Sequence, residues 1–387
     1  MINFLFLPIV FLLSLQFTRT SYAVPECTSP STVINETLYR QNPSSQGALG
    51  VCYAHSVANI YGSLYQQTHG EFVFPSPTML SIFSGMNGYK AAPFKVAPLH
   101  KKIFYLTPIF GWEAYLLDKY FSKKKGLVDR VTGGFFVETL NDAVSTPPCT
   151  LESVEWFLEI QSKSLPADKT LELYYEFIKY LKDVHPYVLE QGSLDSEVLR
   201  QHMKDKGFDL NYEIMEKFSA IHQYIEDYGF AKNHVTGKTF AKRTLANFLM
   251  HRCHEFNSGR VFGEIKYKVK SYLSIIHGHA KLIRLLDQHF TNAQSLPVEM
   301  GYCYGHLTDK DECGYHSSVI YGKTCYQDRL YFLVRNSWGG TSLRESNVIP
   351  GTNHSRKGDY WISTSELKKS WTGLMGELNF VENLATH

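Results

Sequence analysis

Gln46-Gly47-Ala48-Leu49-Gly50-Val51-Cys52-Tyr53-Ala54-His55-Ser56 is the stretch on which the reading of this chain turns. Two glycines loosen the backbone, and a cysteine follows at the start of an apolar periodic run. Ala54, Val57, Ala58, Tyr61, Leu64 and Tyr65 recur at helical spacing, and Gly70 is placed to end the helix. The spacing therefore predicts a helix whose first turn carries Cys52. Unpaired N–H groups and the helix dipole at that end favour negative charge. A thiol so placed is expected to have a depressed pKa and to be partly thiolate near neutral pH.

A nucleophilic thiolate works with a base and a group that orients the base. Gly314-Tyr315-His316-Ser317-Ser318-Val319-Ile320 places a histidine at the head of an apolar strand. Twenty residues on, Val334-Arg335-Asn336-Ser337-Trp338-Gly339-Gly340 supplies an amide that can hold one ring N–H. Cys52, His316 and Asn336 thus form a candidate nucleophile, base and orienter.

These segments resemble the papain family of cysteine peptidases. QGALGVCYAHS runs in ungapped register with that family's Gln-Gly-x-Cys-Gly-[Ser/Ala]-Cys-[Trp/Tyr]-Ala-Phe-Ser. His316 opens a strand, Asn336-Ser337-Trp338-Gly339 matches the Asn-Ser-Trp-Gly motif, and GDYWI at 358–362 matches the strand after it. The four motifs stand in family order. The resemblance implies an α+β, two-lobe fold with a helical lobe and an antiparallel β lobe. It implies Cys52 as nucleophile, His316 as its partner and later general acid, Asn336 as orienter, Trp338 as shield of that bond, and Gln46 as an oxyanion donor. It also implies a peptide or protein substrate and no cofactor. Gly133-Gly134 resembles the family's substrate-binding Gly-Gly turn, but a bare Gly-Gly equally reads as an ordinary helix-start turn.

The chain departs from the pattern in places. Leu49 and Val131 stand where that family has two cysteines that pair with each other; an apolar contact between them would fill the gap. His55 replaces Phe and reads as a buried core histidine. The loop after Trp338 lacks the usual second Trp-Gly. His316 also lies far beyond the ≈130–150 residues expected between the nucleophile and its partner. The surplus, on the order of 100 residues, coincides with 150–259, which reads as mostly helix. Asp168 is placed to cap one helix, with Pro186 breaking or kinking it, and Asp195 to cap another; later helices end at Gly229 and Gly259. We read 24–149 as a lobe carrying the nucleophile, 150–259 as a helical insertion and 260–387 as a β-rich lobe carrying His316 and Asn336. The insertion either narrows the cleft or is a solvated bundle.

The rest of the composition bounds the setting. The chain has 387 residues, 44% of them apolar, enough for a large core. Lys and Arg number 39 against 37 Asp and Glu, which gives no support for a nucleic-acid partner. FLFLPIVFLLSL at 4–15 followed by Ser21-Tyr22-Ala23 reads as a signal peptide cleaved after residue 23. It is too short for an ordinary membrane span, so no stable membrane anchor is expected. Only about 28 residues would then precede Cys52, too few for a long inhibitory propeptide. In an exported chain disulfides persist. Seven cysteines leave one unpaired, and the motif assigns that thiol to Cys52. Cys27, Cys149, Cys253, Cys303, Cys313 and Cys325 are then disulfide candidates, with 15 pairings and at least one bridge expected among the last three.

His251, Cys253, His254, His277 and His279 lack partners at zinc spacing, so no metal is expected. Asn35-Glu36-Thr37 and Asn353-His354-Ser355 are formal glycosylation triplets. Two other functions fit the same residues. One is an amidase or transpeptidase using the same thiol; the other is a papain-like binding protein with a capped cleft. The oligomeric state is left open by the sequence.

Overall fold

The computed structural model describes residues 27, 32–46, 51–87, 136–145, 149–150, 167–191, 194–231, 237–257, 263–307, 315–338, 349, 358–371 and 376–384. Residues 1–23, read above as a signal peptide, and Gly133, Gly134, Cys313, Leu49, Val131 and Asn353 lie outside them. The architecture is mixed helix and antiparallel sheet, as the sequence leads one to expect.

A seven-stranded sheet forms the frame. Its strands are β1 (Val33–Ile34), β2 (Tyr267–Leu273), β3 (Val298–Cys303), β4 (Tyr315–Tyr326), β5 (Arg329–Arg335), β6 (Asp359–Ser363) and β7 (Glu377–Asn383). They run in the order β2-β7-β3-β4-β5-β6, with β1 added against β4, and every pairing is antiparallel. Gln327 and Asp328, both at positive φ, turn β4 into β5, the backbone a two-residue hairpin requires. Where β1 crosses β4 the register slips between Ile320 and Gly322. A Cβ on Gly322 would come within 2.8 Å of the Val33 carbonyl oxygen, so only glycine lets β1 approach there.

Helices cover both faces of the sheet. On one face lie α1 (Glu36–Arg40), α2 (Cys52–His69), α3 (Pro77–Asn87) and α4 (Phe136–Ser145), joined by α5 (Ala167–Gln191), α6 (Ser196–Asp205), α7 (Tyr212–Tyr228) and α8 (Gly237–Phe256). On the other lie α10 (His279–His289) and α11 (Thr364–Ser370), with the single-turn α9 (Ser274–His277) between β2 and α10. Helix α2 is buried from Cys52 through Tyr65 on every side, the situation of a central helix rather than a surface one. Gly70 ends it in the left-handed conformation, as expected of a C-terminal glycine.

Helices α5 to α8 are not a solvated bundle. Phe177, Phe218, Phe248 and Leu249 belong to the same apolar core as Val57, Tyr61 and Leu140. A disulfide from Cys149 to Cys253 ties α8 to the chain beside α3 and α4. Asp195 caps α6 by accepting from Glu197 and Val198 N–H, and Asn211 caps α7. Two details of the sequence reading need correction. Asp168 lies inside α5 rather than capping it, because the helix starts at Ala167. The same helix runs unbroken through Pro186 to Gln191, held by the packing of its apolar stripe. Helix α1 was not anticipated from the sequence. Its cap is Asn35, whose side chain accepts from Leu38 N–H at 2.9 Å and donates to the Ser295 carbonyl at 2.8 Å. That buried amide is committed to the fold, not presented as a glycan acceptor.

Cys27 bridges to Cys325 at the end of β4, with Cα atoms 5.6 Å apart. Cys303 is also disulfide-bonded, and Cys52 is the one free cysteine among the described residues. No helix among the described residues is long and apolar enough to cross a membrane.

Candidate active site

The site forms where the first turn of α2 meets the start of β4 and the end of β5. Cys52 is the first residue of α2, preceded by Val51, which offers no side-chain cap. The backbone N–H groups of Ser317 and Tyr53 lie near its sulfur and favour the thiolate. Ser317 directly follows His316, so the nucleophile candidate touches the strand that carries the base candidate.

His316 and Asn336 are brought together by pairing of β4 with β5, which aligns Val319 with Arg335. His316 Nε2 lies 3.0 Å from Asn336 Oδ1. That oxygen also accepts from Ser337 N–H at 2.8 Å, which fixes the amide's orientation and makes His316 Nε2 the donor. Trp338 stacks on the imidazole with ring centroids 4.5 Å apart and planes 23° apart. Tyr302, opposite His316 across the β3–β4 ladder, meets the ring edge-on at 5.5 Å. Both His316 and Asn336 are 2% exposed. The remaining imidazole nitrogen, Nδ1, is the one that can exchange a proton with sulfur.

Gln46 is held from two sides. Its N–H donates to the Ser337 carbonyl at 2.7 Å, and its side-chain oxygen accepts from the Ser337 hydroxyl. Ser45 pairs with Trp338 in the same short antiparallel bridge. Ser44 is in turn 2.6 Å from His55 Nδ1. His55, expected as a core histidine, is buried, and it also ties the Gln46 segment to α2. Its imidazole is pushed down to about 3 by burial and then by the facing His316. Sequence reasoning gave His55 no such partner, because Ser44 precedes the glycine turn and carries no motif of its own.

Electrostatics correct the sequence expectation for the thiol. Burial pushes Cys52 up to about 11, overriding the backbone N–H groups that pull it down. Burial likewise pushes His316 down to about 4, against the Asn336 bond. Both shifts favour the uncharged pair, with the proton on sulfur.

Two buried polar clusters under the site were not anticipated. Arg335, next to Asn336, makes a two-pronged ion pair with Asp359, at 3.0 Å for Nε to Oδ1 and for Nη2 to Oδ2. Arg335 Nη1 also donates to the Leu38 carbonyl at 2.7 Å, and the Tyr321 hydroxyl donates to Asp359 at 2.8 Å. Glu299 and Glu377 form the second cluster, with Asn379, Ser317 and Ser56. The one available signal was a charged residue inside an otherwise apolar strand, as at Glu299 and Arg335. The histidines set aside as metal ligands have other roles: His279 Nε2 is 3.0 Å from the Trp371 carbonyl and His277 Nδ1 is 3.1 Å from the Leu273 carbonyl. Cys253 is in a disulfide.

No protein-family model and no curated protein sequence matches the chain. Solved structures give distant likenesses. One comes from work on the mite allergens Blo t 1 and Der p 1, with TM-score 0.40 and 10% identity, covering 94% of this chain and 73% of that one. Another is the ragweed pollen allergen Amb a 11 cysteine protease in its proform, with TM-score 0.40 and 11% identity, covering 94% and 66%. A third is recombinant stem bromelain precursor, with TM-score 0.38 and 9% identity, covering 92% and 70%. Likenesses this distant assign no activity, so the chemistry must be read from the chain's own residues.

Proposed function

We propose that this chain is an exported thiol peptidase of papain-like type. The observation that carries the reading is the buried His316–Asn336 bond at 3.0 Å, under Trp338, with a free cysteine at the start of the helix that meets the same strand through Ser56 and Ser317. A structural histidine needs no such orienter, stacked shield and free thiol together.

The chemistry follows from the arrangement. Cys52 sulfur attacks a peptide carbonyl as its proton passes to His316 Nδ1. Because burial favours the neutral pair, that transfer accompanies attack rather than preceding it. The Gln46 amide N–H₂ and the Cys52 backbone N–H take the developing oxyanion; one such donor is worth ~10²–10³ in rate. Imidazolium then protonates the leaving amine, and the C–N bond breaks to leave a thioester. Water, deprotonated by His316, attacks the thioester and releases the acid and the Cys52 thiol.

Residues 1–23 serve in this reading as the export signal, and the disulfides fit an oxidising compartment. Gly133-Gly134 binds substrate backbone. The helical stretch 150–259 is an insertion that restricts the cleft.

A peptide-library digest with wild type and Cys52→Ala side by side tests the proposal. Wild type should cleave and Cys52→Ala should be inactive yet folded. Activity should fall as pH drops through about 4, where His316 takes a proton and ceases to be a base. Equal digestion by both proteins, or a folded wild type that cleaves nothing and whose Cys52 resists thiol reagents, would refute it.

A further inference from the structure

We propose that Glu299 is a positioning residue for this site: a buried carboxylic acid, held neutral, that fixes Ser317 against the nucleophile's helix and whose ionisation suppresses the Cys52 thiolate. Its bearing on catalysis rests on the thiol-peptidase reading; its protonation state does not.

The sheet register builds the cluster. Glu299 on β3 lies directly opposite Asn379 on β7, which lies opposite Ser271 on β2. Ser317 on β4 is Glu299's diagonal neighbour on the same face. Ser317 Oγ is 2.7 Å from Glu299 Oε1 and 2.8 Å from Ser56 Oγ on α2, one turn beyond Cys52. Asn379 Nδ2 donates to Glu299 Oε2 at 2.7 Å and to Glu377 Oε1 at 3.1 Å. One amide therefore spans two carboxyl groups.

The Ser317 hydroxyl has one hydrogen and cannot donate to both Ser56 and Glu299, so one contact is donated to it. With Glu299 ionised, Ser56 donates to Ser317 and Ser317 to the carboxylate; with Glu299 protonated, the acid donates to Ser317 and Ser317 to Ser56. Burial and the second carboxyl on the Asn379 amide select the protonated arrangement. Glu299 is 1% exposed. Among the described residues, the titratable groups that act on it or feel its charge are Glu377 on β7, Cys52 on α2 and Tyr315 on β4, and none of these is a cation. Two carboxyl groups buried together without a cation do not both ionise. Burial, then Glu377, pushes Glu299 up to about 8. Once ionised, it places negative charge beside Cys52, opposing loss of the thiol proton.

The sequence explains the geometry. The Ser317 hydroxyl joins Glu299 on β3 to Ser56 on α2, and its backbone N–H favours the Cys52 thiolate. A single residue after His316 thus sets how α2 sits on β4. That contact spans 261 positions of chain, which is why no local motif announces it.

The test is the alkylation rate of Cys52 by iodoacetamide from about pH 6 to about pH 10, in wild type and Glu299→Gln. The amide keeps the shape and the donor to Ser317 but cannot ionise. Rates should coincide at about pH 6. At about pH 9.5 Glu299→Gln should react about threefold to tenfold faster, a shift of up to about one pKa unit. Superimposed profiles, or a variant slower at every pH, would overturn the proposal. Infrared titration decides the protonation state without using the thiol. Wild type and Glu377→Gln should both show a buried carboxylic-acid band at about pH 6 that fades by about pH 9.5. Absence of that band overturns the proposal even if Glu299→Gln does not fold. If Cys52 resists alkylation in both proteins while the band is present, the thiol-peptidase reading fails and the protonation state of Glu299 stands.

Discussion

Two ionic clusters are buried on either side of β4, and they are built on opposite plans. On the β5–β6 side, Arg335 and Asp359 are direct partners in the ladder, with opposite charges joined by two parallel hydrogen bonds. On the β3–β7 side, Glu299 and Glu377 are diagonal neighbours of like charge, spanned only by the Asn379 amide. The first cluster cancels its charge internally. The second cancels nothing and must keep a proton. Both reach the site through one neighbour, Asn336 next to Arg335 and Ser317 next to His316. One side of the site therefore rests on a fixed charge pair and the other on a protonation equilibrium.

Breaking the matched pair should have the largest effect on stability. Arg335→Ala strands Asp359 without its cation and removes one of the two hydrogen bonds to the Leu38 carbonyl. We expect a loss of about 3–5 kcal/mol in chemical denaturation. Replacing both partners, as Arg335→Met with Asp359→Leu, should recover most of it, since a buried pair is often no better than apolar residues of the same volume. A double variant as unstable as the single one would show that the cost lies in packing with Tyr321 and α1 instead.

These two clusters also mark how far the sequence could be read. Cys52, His316, Asn336, Trp338 and Gln46 were legible because each sits in a short motif, and the structure gathers all of them. Strands β2 to β6 were legible from apolar runs and alternation. Strand β7 was not, because Glu377–Asn383 lies between β2 and β3 and is buried on both faces apart from partial exposure at Glu377 and Glu382, so it shows no clean alternation. Arg335 and Glu299 were visible as residues but not as partners. Asp359 is 24 positions from Arg335 and Asn379 is 80 from Glu299, and only sheet register joins them. The thiol's protonation was misjudged for a related reason. The helix start is local and legible, but the burial that overrides it comes from the tertiary packing around α2.

The mismatched pair predicts a smaller, pH-dependent effect. Folding raises Glu299 from an ordinary carboxyl value to about 8. Between those values the native state holds a proton that the unfolded state has lost. The resulting stability is fully present below the unfolded pKa and falls as pH rises through the folded one. Each unit of separation is worth about 1.4 kcal/mol. Relative to wild type, Glu299→Gln should therefore gain on the order of 4 kcal/mol between about pH 5 and about pH 8, read from denaturation midpoints. Arg335→Ala should show no such pH-dependent gain. Parallel stability curves for wild type and Glu299→Gln would erase the distinction between the clusters.

The finest test cuts the link between the acid and the nucleophile while leaving both in place. Ser317→Ala removes one hydroxyl, but the backbone N–H that favours the Cys52 thiolate remains. The direct stability cost should be small, about 1 kcal/mol for one net hydrogen bond. The informative change is in titration. The Ser317 hydroxyl pulls Glu299 down, so without it the carboxyl should ionise at higher pH and its infrared band should persist further into alkali. The alkaline slowing of Cys52 alkylation should move up with it. If the band moves and the alkylation profile does not, Glu299 and Cys52 are uncoupled, and the acid pair is a feature of the sheet alone. If both move together, the charge on β3 is read at the sulfur on α2.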